Sequence, residues 1–335
     1  MTRRHLRTGI LAAAVATLLA GCAKLPLQSA LHPSGNDAAV IAEMAWWLIG
    51  GAAVIFAGVM ILLAASLRNG RRPVKPGVWL LGAGVAFPVA VLTVLLIYGL
   101  VRSQQLLAPM SQNALIVSVT AKMWWWEVRY RDPVTGNDVV TANEIRLPAH
   151  RDVYFALTSD DVIHSFWVPS LAGKVDMLQG RITRLRVRTG EPAILRGQCA
   201  EYCGEQHARM ALHVVVEEDA AFDAWLENQA RPARAPANVL QERGRALFME
   251  RRCSACHTIR GVADETAGGA ALGPDLTHVG SRLFLGAGTL RNDGDAMRDW
   301  IADVQRIKHG ARMPAFRDLD DDSLHALSAY LEHLQ

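Results

Sequence analysis

Apolar residues crowd the first third of this chain, then thin into short alternating runs and finally into helical spacings. After a basic start (Arg3, Arg4, Arg7), the apolar run of residues 10–20 is too short to cross a bilayer and reads as the hydrophobic part of an export signal. Residues 39–67 and 78–101 form two longer apolar runs, each above the ~20 residues that span a hydrocarbon core. Between them stand Arg68, Arg71, Arg72 and Lys75. A Lys or Arg costs roughly 2.5–3.5 kcal/mol at the centre of a spanning helix, so these charges end both spans. Under the positive-inside rule they lie in the cytoplasm, and both chain ends face outward. Trp46, Trp47, Trp79 and Tyr98 sit near the span ends as interfacial anchors, and Glu43 marks the start of the first span.

From residue 114 the texture changes. Residues 115–120, 153–158, 182–188 and 213–217 are alternating or β-branched runs, separated by turn signals such as Asp132-Pro-Val-Thr-Gly-Asn-Asp138. They predict an all-β sandwich. A Pro/Ala-rich stretch, 229–238, follows as a semi-extended linker. Beyond it, residues 239–251 and 322–334 carry the helical spacing of amphipathic helices, one opening and one closing a second soluble domain. The expected division is therefore an export signal at 1–21, a two-span segment at 22–102, a β domain at 103–228, the linker, and a helical domain at 239–335.

Charge sharpens this picture. The net charge of +3 conceals +7 in residues 1–102 against −4 in 103–230 and −2 in 239–335, with Arg231 and Arg234 of the linker making up the rest. The basic excess belongs to targeting and topology, which excludes nucleic acid as a partner class, and the mildly acidic soluble domains suit a basic partner. The five cysteines are an odd number, contrary to a disulfide framework. Cys22 ends Leu-Ala-Gly-Cys, which resembles a bacterial lipoprotein box; the alternative is an ordinary cleavage site with an incidental cysteine.

The other cysteines carry the candidate chemistry. Cys199-Ala-Glu-Tyr-Cys-Gly-Glu-Gln-His-Ala-Arg-Met210 holds two thiols, an imidazole and a thioether within twelve positions, soft or borderline donors that select copper over magnesium or calcium. A disulfide or a zinc loop would use the cysteines but leave His207 and Met210 unexplained. Cys253-Ser-Ala-Cys-His257 is the Cys-x-x-Cys-His signature of covalent haem attachment, directly after an amphipathic helix pattern. A redox or zinc pair followed by a chance His is the alternative. Met313, in Gly-Ala-Arg-Met-Pro, is the candidate sixth ligand, with His278, His309 and Met297 as competitors.

The 199–210 stretch resembles the binuclear copper (CuA) loop of cytochrome c oxidase subunit II. With the haem signature, the resemblance extends over nearly the whole mature chain to the caa3-type subunit, which carries a fused cytochrome c. It implies a multidomain membrane protein: a two-helix transmembrane hairpin, a cupredoxin-like all-β Greek-key domain and an all-α class I cytochrome c domain. It also implies that Cys199 and Cys203 bridge two coppers, that His164 (in Asp-Asp-Val-Ile-His-Ser-Phe-Trp) and His207 each bind one, that Met210 is a weak axial ligand, and that Glu201 contributes its carbonyl. Cys253 and Cys256 would tether haem c, with His257 and Met313 on the iron. Trp124, first in a Trp-Trp-Trp run, matches the family's electron-entry residue; packing is the alternative. Lys174, Asp176 and Arg181 match residues near the contact with subunit I, where the Glu201 carboxylate could meet a magnesium ion or stay solvated.

The implied activity is that of an electron-input subunit of cytochrome c oxidase. Electrons would pass from cytochrome c or another external donor through haem c and CuA to haem a of subunit I. Oxygen would be reduced there, at haem a3-CuB, because two spans here carry no paired histidines for such a site. Membrane lipid and other oxidase subunits are the remaining partners, and both soluble domains lie outside the bacterial inner membrane. A nitric oxide reductase subunit, or a membrane-anchored electron carrier outside an oxidase, are the alternatives; a quinol oxidase subunit would lack these copper ligands. Many family chains carry a Glu at the cytoplasmic start of the second span. None stands between Arg72 and Pro88, where this chain departs from that pattern.

Overall fold

The computed structural model describes residues 27–68, 75–106, 114–131, 136, 138–264 and 272–335. The export signal, Cys22, most of the charged loop between the spans and most of the 132–138 turn lie outside the described residues. Helix α1 (Asn36–Arg68) and a second helix over Val78–Leu106 are long and apolar enough to cross a membrane. At ~1.5 Å per residue, each exceeds the ~30 Å hydrocarbon core. The second helix opens with wide π-type turns at Val78–Ala86 and continues as α2 (Phe87–Leu106). Neither buries its apolar core against protein, as lipid-facing helices require. Glu43 of α1 pairs with Arg102 of α2, so the helices form an antiparallel hairpin with both charges at one end. At that end the chain is stitched to the β domain: Ser34 N donates to the Ser170 carbonyl (2.7 Å), and Ala38 and Ala42 are buried.

The β domain is a sandwich of two five-stranded sheets. One runs β3 (Asp138–Ala142), β2 (Trp125–Arg131), β1 (Leu115–Lys122), β5 (Asp152–Ser159), β8 (Thr183–Arg188). The other runs β4 (Glu144–Pro148), β10 (Ala211–Glu217), β9 (Ala193–Cys199), β6 (His164–Trp167), β7 (Val175–Met177). The pairs β1–β5 and β4–β10 are parallel, and such non-sequential neighbours mark a Greek-key sandwich. Alternation sets the core: Val153, Phe155 and Leu157 of β5 point inward to Val117, Val119, Trp126 and Phe166. Helix α3 (Asp219–Ala230) covers the edge, with Trp225 edge-on to Tyr130 at 5.2 Å.

The C-terminal domain is helical. Its helices are α4 (Val239–Glu250), α5 (Gly294–Ile307) and α6 (Asp321–His333). Asn238, Asp293 and Asp320 cap them with side-chain oxygens, contacts typically worth about 1 kcal/mol each. Phe248, Met297, Ile301, Leu327 and Tyr330 form the core where the helices meet. A two-stranded hairpin, β11 (Phe284–Leu285) and β12 (Leu290–Arg291), interrupts the all-α expectation. The linker is tied down rather than free. Ala233 N donates to the Arg260 carbonyl (2.9 Å), and His278 and His333 donate to the carbonyls of Arg231 (3.0 Å) and Ala235 (2.9 Å).

Candidate metal centre and haem crevice

Strands β9 and β10 are antiparallel neighbours, so the 200–210 loop leaves and re-enters the sheet at one end. β6 pairs with β9 at Phe166–Cys199, which brings His164 to the same end. There the Cys199 and Cys203 sulfurs lie 3.7 Å apart. His164 Nδ1 is 3.7 Å from Cys199 Sγ, and His207 Nδ1 is 3.6 Å from Cys203 Sγ. Met210 Sδ is 3.9 Å from Cys203 Sγ, and the Glu201 carbonyl is 3.1 Å from Cys199 Sγ. The donor atoms of His164, Cys199 and Cys203 all fall within 4.8 Å of one another, and these residues and Met210 are buried.

Three local features shape this cluster. Asp161 accepts a hydrogen bond from His164 Nε2 at 2.8 Å, so the proton sits on Nε2 and the Nδ1 lone pair faces the sulfurs. The contact between the two sulfurs, with hydrogen bonding from His164, holds the Cys199 thiol below its ordinary range, while the same contact and burial push Cys203 up. Two thiolates side by side at this distance would repel each other without a compensating cation. Gly204 takes a left-handed φ of 106°, and a Cβ there would lie 3.2 Å from the Trp124 ring, so the loop closes against that indole. Two sulfurs with two imidazoles, a thioether and a carbonyl are a donor set that fits copper.

In the helical domain, Cys253, Cys256, His257 and Met313 line one cavity of about 440 Å³ with mostly apolar walls. His257 Nδ1 donates to the Pro274 carbonyl at 2.8 Å, which leaves Nε2 as the free ring nitrogen. Burial holds this imidazole below its ordinary pKa, so it stays neutral and able to ligate. Gly273 packs on the ring: a Cβ there would stand 2.6 Å from His257 Cε1. Gln305 Nε2 donates to the carbonyls of Ala311 (2.7 Å) and Met313 (3.0 Å), fixing the methionine loop. Two thiols, an anchored imidazole and a thioether around one apolar cavity fit a covalently attached haem.

The two sites meet. Met123, Trp124 and Trp125 of the β domain form part of the wall of this cavity. The Trp124 indole N–H donates to the Cys203 carbonyl at 2.8 Å, so one residue touches both the crevice and the sulfur loop. Around it, Leu283 N donates to the Glu144 carboxylate (2.8 Å), Ala211 N donates to the Ala287 carbonyl (3.1 Å), and His213 stacks on Phe284 at 3.9 Å. Lys308 Nζ donates to the carbonyls of Trp124 (3.0 Å) and Gly286 (3.2 Å), and burial with repulsion from Arg209 pushes its pKa down to about 7.

Of the competitors for the methionine position, the two histidines stand elsewhere and Met297 does not. His278 bonds the linker, His309 is exposed against Glu205, and Met297 is in the core while also lining the crevice. The Glu201 carboxylate is exposed and lies 3.7 Å from Lys174, which also pairs with Asp176 at 3.2 Å. Asp161, Gln305 and Lys308 were not expected from the sequence. Asp161, three residues before His164, could have been found as an orienting carboxylate; Gln305 and Lys308 give no local signal.

Residues 133–218 match the family of cytochrome c oxidase subunit II periplasmic domains, and residues 241–335 match cytochrome c. Cytochrome c oxidase subunit 2 of Alkalihalophilus pseudofirmus is 35% identical over 224 residues, covering 67% of this chain and 62% of that protein. The chain thus spans less than two thirds of that relative. Its counterpart from Bacillus subtilis is 29% identical over 357 residues, covering 99% of this chain and 98% of its own length. Among solved structures, the periplasmic domain of cytochrome oxidase subunit II of Bradyrhizobium japonicum aligns with 36% of this chain and 96% of itself, at 27% identity and a TM-score of 0.34. The chain thus carries a domain of the cytochrome c oxidase subunit II periplasmic type and, after it, a cytochrome c domain, in that order behind two membrane-length helices.

Proposed function

We propose that this chain is the electron-input subunit of a haem-copper oxidase of the bacterial inner membrane, with both soluble domains on the periplasmic side. Cys199, Cys203, His164, His207, Met210 and the Glu201 carbonyl would together hold two coppers. Cys253 and Cys256 would carry haem c, with His257 and Met313 on its iron. When bound, these groups supply one-electron transfer, from an external donor such as a cytochrome c towards haem a of subunit I, where oxygen is reduced. The protein's own part is geometric. The rigid β9–β10 and β6 ends hold the sulfurs and imidazoles where they need not move as charge changes, and burial excludes water. Asp161 and the Pro274 carbonyl fix the imidazole tautomers.

One observation carries this reading: Trp124 lines the haem crevice while its indole bonds the Cys203 carbonyl. Metal analysis, haem assay and electron paramagnetic resonance on the full membrane chain, produced with haem-attachment machinery, test it. Two coppers per covalent haem, with one unpaired electron shared between the coppers, is the expected result. One copper or one zinc per haem would overturn it.

A further inference from the structure

The segment Ile307-Lys308-His309, at the end of α5, is held by the β domain at all three residues. Arg209 donates to the Ile307 carbonyl at 2.6 Å, Lys308 Nζ donates to the Trp124 carbonyl at 3.0 Å, and His309 Nδ1 lies 2.6 Å from the Glu205 carboxylate. Arg209, Glu205 and His309 are exposed, whereas Lys308 is only 4% exposed. Contacts between exposed charges contribute little and are screened by salt. A lysine buried to this depth persists only where its donors are satisfied. Its second acceptor, the Gly286 carbonyl at 3.2 Å, belongs to its own domain. The ammonium therefore bonds both sides of the domain boundary at once, directly beneath the tryptophan that touches both sites.

We propose that Lys308 is a positioning residue for electron transfer within the chain: by bonding the Trp124 and Gly286 carbonyls together, it fixes the Trp124 ring between the haem crevice and the copper loop. This deepens the electron-input reading and rests on it. A compact ammonium with three donors can serve two carbonyls from different domains, which an apolar chain of similar length cannot. The exposed Arg209 and His309 contacts form the rim of the same joint. Lys308 also lines the crevice, but both of its bonds go to carbonyls, so it acts through the placement of Trp124.

The test uses the full membrane chain loaded with haem and copper, in wild type, Lys308→Met and Lys308→Arg. In Lys308→Met the rate of haem-to-copper transfer after rapid photoreduction should fall about tenfold, the population effect of ~1.4 kcal/mol. Haem reduction by a small-molecule reductant, the haem absorption bands and the copper spectrum should stay at wild type. Lys308→Arg, which keeps charged donors, should recover most of the internal rate. An unchanged internal rate in Lys308→Met overturns the proposal. So does an equal slowing of haem reduction by the small reductant, which would mark a general defect of the crevice. If Lys308→Met fails to load, Lys308→Gln is compared in the same way, and a wild-type ratio of the two rates overturns the proposal again. Absence of haem-to-copper transfer in the loaded wild type would instead overturn the electron-input reading itself.

Discussion

Asp161 does two jobs at the copper-type site. One carboxylate oxygen accepts from His164 Nε2 at 2.8 Å, and the other accepts from the Met123 backbone N–H at 2.7 Å. It therefore fixes the imidazole tautomer and also anchors the turn that carries Trp124. Partners of this kind typically contribute 10–100-fold to metal affinity. Asp161→Ala should accordingly weaken copper binding by about that factor while leaving haem content unchanged, as a competitive copper titration would read. The sequence exposes much at this scale, because ligand chemistry here is local: the 199–210 spacing and the Cys-x-x-Cys-His signature both fit within single loops. His164 is 35 positions from Cys199, and only the resemblance linked them. Lys308 reaches Trp124 across 184 positions, a distance no periodicity or spacing rule encodes.

Between elements, the joint is built from the β10 end, the β11–β12 hairpin and the end of α5. Strands of two residues are too short to show any alternation, which is why the hairpin was invisible in the sequence and the all-β domain was not. His213 of β10 lies parallel to Phe284 of β11, with 5° between the rings. Burial, reinforced by repulsion from Arg196, lowers its pKa from 6.5 to about 4. A base whose value is lowered in the packed state lends its full stability above the free value of 6.5 and loses it as pH falls through about 4. The thermal unfolding midpoint of the full chain should therefore drop between pH 6.5 and pH 4. His213→Phe, which keeps a stacking ring without the proton, should show a smaller drop in the same scan.

At the scale of the whole molecule, the contacts across the joint hold the two soluble domains together, and the linker adds proximity. Its effective concentration falls as roughly the −3/2 power of length, so adding ten residues between Pro236 and Ala237 doubles the tether at a cost of only about threefold in encounter. Internal electron transfer in the extended chain should thus slow by no more than about threefold, measured by the same photoreduction experiment. A much larger loss would mean that the linker, with its bonds to Arg260, His278 and His333, sets the docked position.

The wall that Trp124 and Trp125 supply to the crevice also bears on how the protein is put together. In the proposed reading, porphyrin would reach Cys253 and Cys256 from outside, yet the neighbouring domain supplies part of the wall around them. Biogenesis consequently has a built-in chronology. The membrane hairpin and β domain, synthesised first, can fold while the last third is still a separate body, and a cofactor would enter most freely before the two halves meet. The finished interface is then a record that maturation is complete.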